Sequence, residues 1–68
     1  MYRHVIVNTT SNLVENIIEY PSTITGQPDG FPSNYIAVKN DTAQIGATYN
    51  QDETFSNPAI DVGKEITE

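Results

Sequence analysis

No cysteine occurs in this chain of 68 residues, and that absence narrows its folding options more than any residue present. A single core of this size rarely supplies more than about 3–5 kcal/mol, so small domains add disulfides, a structural metal or a partner surface. Disulfides, thiolate metal sites and a cysteine nucleophile are excluded here. His4 is the only imidazole, which removes the usual zinc ligand sets as well. Partner surface is the option left.

Nine acidic residues against three basic ones give a net charge of −6. A phosphate-binding surface needs clustered Lys and Arg, yet Arg3, Lys39 and Lys64 lie far apart in the chain. Nucleic acid and anionic membrane are therefore not expected as partners. The longest apolar runs, Val5-Ile6-Val7 and Ile17-Ile18, fall far below the ~20 residues that span a bilayer. The chain does not open with the basic and then apolar stretches of a secretory leader, so synthesis in a cytoplasm is expected.

Thr, Asn and Ser account for 19 of the 68 residues and Ile and Val for 13 more, which is strand-and-turn chemistry. The fold class expected is mainly β: a small antiparallel hairpin or meander module over residues 1–56, with an extended arm over 57–68. Tyr2 to Val7 reads as a strand, Asn8 to Asn12 as a turn, and Leu13 to Tyr20 as the returning strand stopped by Pro21. A helix competes for that last segment. Leu13, Val14, Ile17 and Ile18 share a helical face, and Asn12 with Glu15 imitates a capping box. Three β-branched residues and the short distance to the proline favour the strand.

Residues 21–34 hold three of the four prolines and two glycines, and Pro28-Asp29-Gly30 is a turn by mechanism. The stretch reads as a loop crossing between hairpins and packing by Ile24 and Phe31. From Tyr35 to Tyr49 a second hairpin is expected, with Asn40-Asp41 as its two-residue turn. That register sets Val38 opposite Ala43 and Ile36 opposite Ile45, with all four on one face. A polar loop, Asn50 to Glu53, then leads to a short strand at Thr54-Phe55. Tyr49 and Phe55 supply much of the aromatic area available to the core. In the arm, Ile60, Val62 and Ile66 share one parity, as in a strand that lays one apolar face on another subunit.

Catalytic chemistry finds little support. His4 is expected to be half-exposed on an edge strand, with nothing placing a nucleophile and a carboxylate beside it. Glu15 and Glu19 could pair as in two-carboxylate glycosidases, but their simpler reading is a solvated face that keeps a strand edge from mispairing. Asp52-Glu53 and Asp61 to Glu65 lack the alternating oxygens of a calcium loop. No phosphate loop, dinucleotide fingerprint or nucleophile elbow is present. Neither an enzyme nor a cofactor or metal is expected.

Three stretches occur in a recurrent order: Val14-Glu15-Asn16-Ile17-Ile18, then Pro28-Asp29-Gly30-Phe31, then Ile45-Gly46-Ala47-Thr48-Tyr49 running on to Phe55-Ser56-Asn57-Pro58. Over residues 2–58 the chain resembles short proteins of tailed bacteriophages, found alone or as segments of tail-fibre and other tail-associated proteins. It departs from their pattern at Ala47, where related segments often carry Trp, at Asn50-Gln51, where they carry Asp-Gly, and in a longer loop before Phe55. The resemblance implies a non-enzymatic component of the virion, in the tail, baseplate or tail-fibre attachment. Its partners would be other virion proteins, in a homo-oligomer or multi-copy assembly. A capsid decoration or cement protein, or a tail-fibre assembly chaperone absent from the mature particle, are the alternatives. Ile36, Val38, Ile45, Tyr49, Phe55 and Phe31 would form the core, and Ile60, Val62 and Ile66 the partner contact.

Overall fold

The computed structural model describes residues 1–58, and these are mainly β. Five antiparallel strands form one sheet: β1 (Tyr2–Asn8), β2 (Leu13–Tyr20), β3 (Tyr35–Lys39), β4 (Thr48–Tyr49) and β5 (Phe55–Ser56). Their order across the sheet is β3-β1-β2-β4-β5, and no helix occurs among the described residues. The arm residues Ile60, Val62 and Ile66 lie outside the described part of the chain.

β1 and β2 form the expected hairpin. Asn8 and Asn12 shape its turn: Asn12 adopts a φ of 61° and donates its N–H to the Asn8 carbonyl at 2.7 Å. Asparagine enters the left-handed region more readily than other side-chain-bearing residues, which suits it to this position. The Asn8 Oδ1 also accepts the Thr10 N–H at 2.9 Å. Pairing runs from Tyr2–Tyr20 to Asn8–Leu13, and the register shifts between Ile6 and Val7, where Glu15 is the additional residue of a β-bulge. An eight-residue strand with a full-length partner outweighs the marginal helix that the apolar spacing also permits.

The second expected hairpin does not form. β3 pairs with β1, setting Val38 against Val5 and Ile36 against Val7, so Ile36 and Val38 do occupy the core face but across from different neighbours. Asn40 and Asp41 are absent from the residues with positive φ, so they do not make the primed turn a two-residue hairpin needs. Instead the Asn40 side chain accepts the backbone N–H groups of Thr42 at 2.9 Å and Ala43 at 2.6 Å, an Asx-type turn that leads the chain off β3. Arg3 fixes the same corner by donating to the carbonyls of Asn40 at 3.1 Å and Ala43 at 2.6 Å. Ile45 then falls on a turn, not a strand. Ala47 N–H donates to the Gln44 carbonyl, Gly46 takes a φ of 93°, and Ile45 is 59% exposed.

β1 is central rather than an edge, and His4, Val5, Ile6 and Val7 are buried in succession. Such a run requires cover on both faces of the sheet. One face carries Val5, Val7 and Val14, closed by Ala43 and Ala47, with Ile17, Ile36, Val38, Tyr49 and Phe55 packed around them. Tyr49 and Phe55 oppose each other across β4 and β5, their rings 4.9 Å apart. The other face carries His4 and Ile6 and is crossed by residues 21–34. That segment is tied down where Ile24 N–H donates to His4 Nε2 and where Ala37 N–H donates to the Gly26 carbonyl. Within it Pro28 is buried, while Phe31 is half-buried and packs on Tyr35 at 5.6 Å rather than joining the main core.

Candidate functional site

His4 is fully buried, against the half-exposed position expected from the sequence. The reason is the crossing segment, expected as a loop between hairpins packing by Ile24 and Phe31, which passes over this ring. Both ring nitrogens are used: Nε2 accepts the Ile24 N–H at 3.0 Å, which assigns the proton to Nδ1, and Nδ1–H donates to the Tyr2 carbonyl at 2.9 Å. Tyr20 meets the imidazole edge-on at 5.1 Å. With both nitrogens bonded to backbone, the ring is engaged as a structural pin between β1 and the crossing segment.

Glu15 and Glu19 are not brought together. Four positions apart on one strand, their backbones are separated by roughly 13 Å. The extra residue at the bulge, Glu15, reaches groups on β1 and, beyond it, on β3. Its Oε2 accepts from Asn8 Nδ2 at 3.1 Å and its Oε1 from the Tyr35 hydroxyl at 2.7 Å. The bond to Glu15 holds the Tyr35 phenol above its ordinary pKa, with desolvation and the carboxylate's charge acting in the same direction and Asn8 opposing them. Asn34 Nδ2 joins through Asn8 Oδ1 at 3.3 Å. Sequence reading missed this cluster because its members come from β1, β2, β3 and the loop before it. Glu19 instead faces Arg3 across the β1–β2 ladder, while Arg3 spends its donors on carbonyls.

In the loop between β4 and β5 the Asp52 carboxylate accepts the Thr54 hydroxyl at 2.6 Å and the Thr54 N–H at 3.2 Å. These bonds stabilise the charged form and lower its pKa, hydroxyl first. Lys39 pairs with Asp41 at 3.2 Å on the surface. No group of three His, Asp or Glu side chains among the described residues is arranged to hold a metal ion. Among the described residues no helix is long and apolar enough to cross a membrane.

Two open hollows exist beside the crossing segment. One, of about 370 Å³, is a trough along β3 lined by Ile24, Ile36, Val38, Lys39, Tyr49 and Glu53. The other, of about 310 Å³, lies between Tyr20 and the stretch Ile24 to Asp29. Neither holds a nucleophile beside a base, so the chemistry on offer is contact chemistry: apolar walls, the cation of Lys39 and the carboxylates of Glu53 and Asp29. The sheet edges offer more. β4 pairs with β2 at Leu13 and the backbone of Gly46 and Ala47 bonds Val14, leaving the outer side of β2 from Glu15 onward without a strand partner among the described residues.

Ile45, expected in the core, was detectable as a turn residue from Gly46 beside it. A glycine following one strand-like apolar residue is the punctuation of a turn that needs positive φ. Compared with protein-family models, with curated proteins and with solved structures, the chain finds no match in any of the three.

Proposed function

We propose that this chain is a non-enzymatic structural component of a tailed-phage particle, in the tail, baseplate or tail-fibre attachment. It acts there by strand-edge and arm contacts with other virion proteins, as one of several copies. The observation that carries this reading is the ratio of core to edge. Besides Pro28, the buried apolar residues among those described are Val5, Ile6, Val7, Val14 and three alanines, Ala37, Ala43 and Ala47, while the outer backbone of β2 from Glu15 to Tyr20 has no strand partner among the described residues. A module with so small an interior gains from neighbours what its own packing does not provide. The resemblance of residues 2–58 to tail-associated phage segments supplies the setting, and the apolar parity of Ile60, Val62 and Ile66 supplies the arm.

Quantitative mass spectrometry of purified particles tests the proposal. A few to a few dozen copies per particle are expected. Hundreds of copies point instead to a capsid decoration or cement protein, and absence from particles that need this chain for fibre assembly points to a chaperone.

A further inference from the structure

The outer edge of β2 has a defined direction and length. Ala37 N–H donates to Gly26, on the side away from β1, so Ile6, which faces Ala37 across the ladder, turns its own N–H and C=O toward β2. Ile6 pairs with Asn16, so alternation aims the backbone groups of Ile17 and Glu19 at the open side. The chain's own edge pairing stops upstream of them. Val14 N–H donates to Ala47, Gly46 N–H donates to Val14, and from Glu15 to Tyr20 no described strand follows. The Ile17 N–H is occupied by a local substitute, the Oδ1 of Asn16 at 2.8 Å, which an incoming carbonyl can replace.

The slot also has chemistry at its ends and along its length. Ile45 and Leu13, 59% and 39% exposed, stand at its upstream end, and Tyr2 and Tyr20 pair at its downstream end. Of the two charged side chains on β2, Glu15 is committed to Asn8 and Tyr35, which leaves Glu19 as the exposed carboxylate of the open edge. Both cations among the described residues are engaged, Arg3 with carbonyls and Lys39 with Asp41. We propose that this edge accepts an extended cationic strand from another protein, with Ile17 and Glu19 forming the hydrogen-bonded rungs and Ile45 contacting an apolar residue at the strand's end. A second copy fits less well. It carries the same net charge of −6 and repels its own copy at this edge. The inference builds on the reading of the chain as an assembly module, naming one of its edges and the charge of what binds there.

The test titrates the ¹⁵N-labelled full chain with a Lys-Val-Lys-Val-Lys-Val peptide and with the matching Glu-Val peptide. The lysine peptide should shift the amides of Ile17 and Glu19 first and slow their hydrogen exchange at least tenfold, with binding weakened by added salt. Glu19→Pro removes an outward N–H from an exposed position without touching the β1 ladder, and should abolish binding while Glu19→Gln only weakens it. Glu19→Lys should shift preference toward the glutamate peptide. Three results overturn the proposal: no response at those amides, protection already present at every dilution of the chain alone, or protection that grows with its own concentration. The second result means the chain covers its own edge, and the third means a second copy does. None of them bears on whether the protein is in the particle, which mass spectrometry decides separately.

Discussion

The two halves of the described chain are built by different means. From Tyr2 to Lys39 the sheet rests on backbone ladders between long strands whose β-branched residues face one another, Val5 on Ile17 and Val38, Val7 on Val14 and Ile36. From Asn40 to Pro58 the strands have two residues each, and side chains do the holding. Asn40 caps Thr42 and Ala43, Asp52 caps Thr54, and Asn57 Oδ1 accepts the Gln44 N–H at 2.9 Å. The first half is a framework stabilised by burial. The second is a lid shaped by polar turns, bringing Ala43, Ala47, Tyr49 and Phe55 onto the framework's apolar face.

The sharpest way to break that contrast is Ile6→Ala. Removing a fully buried side chain from the central strand should cost about 2–5 kcal/mol, enough to abolish the cooperative urea transition of so small a domain. Asn40→Ala acts on the lid and should cost less, about 1–2 kcal/mol, with exchange of the Ala43 and Ala47 amides accelerated while those of Val5 and Val7 stay protected. Equal acceleration in both halves would show one cooperative unit with no separable lid.

The smallest effect concerns the surface cluster. Glu15→Gln should move the Tyr35 titration, followed by phenolate absorbance, down toward the ordinary tyrosine range. Because the folded-state value is raised, the contribution to stability is fully present below the unfolded value near 10 and is lost as pH rises through the folded one. Asp52 has the opposite sign. Its lowered value makes a contribution present above the unfolded value and lost as pH falls through the folded one, so acid should loosen the β4–β5 loop while leaving the Glu15–Tyr35 bond's contribution to be lost in alkali.

How much of this could be read from residues alone follows the same division. The β1–β2 hairpin was legible because its strands are adjacent in sequence and Asn8 to Asn12 mark the turn. Ile36 and Val38 announced a strand with one apolar face, but an alternating strand matches any apolar partner, and β1 across a long connection satisfies it better than residues 43–47 do. The lid was not legible as such: Ala43, Ala47 and Tyr49 have the right parity for a strand, and only Asn40, Arg3 and Gly46 acting together bend the chain away. His4 shows the same limit, since its burial depends on residues 21–34 crossing its face, which no local pattern around position 4 encodes. Of the candidate site, the acids of β2 were visible, whereas the open edge depends on where β4 stops.

Placing β1 between β3 and β2 sets a timetable for synthesis. Tyr2 to Asn8 leaves the ribosome before either flanking strand exists, so Val5, Ile6 and Val7 wait with both sides bare until Tyr20 and then Lys39 have been translated. At about 5–20 residues per second that interval lasts seconds, far longer than a hairpin takes to close. Of the five strands β1 is thus the most adhesive until β2 and β3 have been made, and the hazard fades strand by strand as they are added.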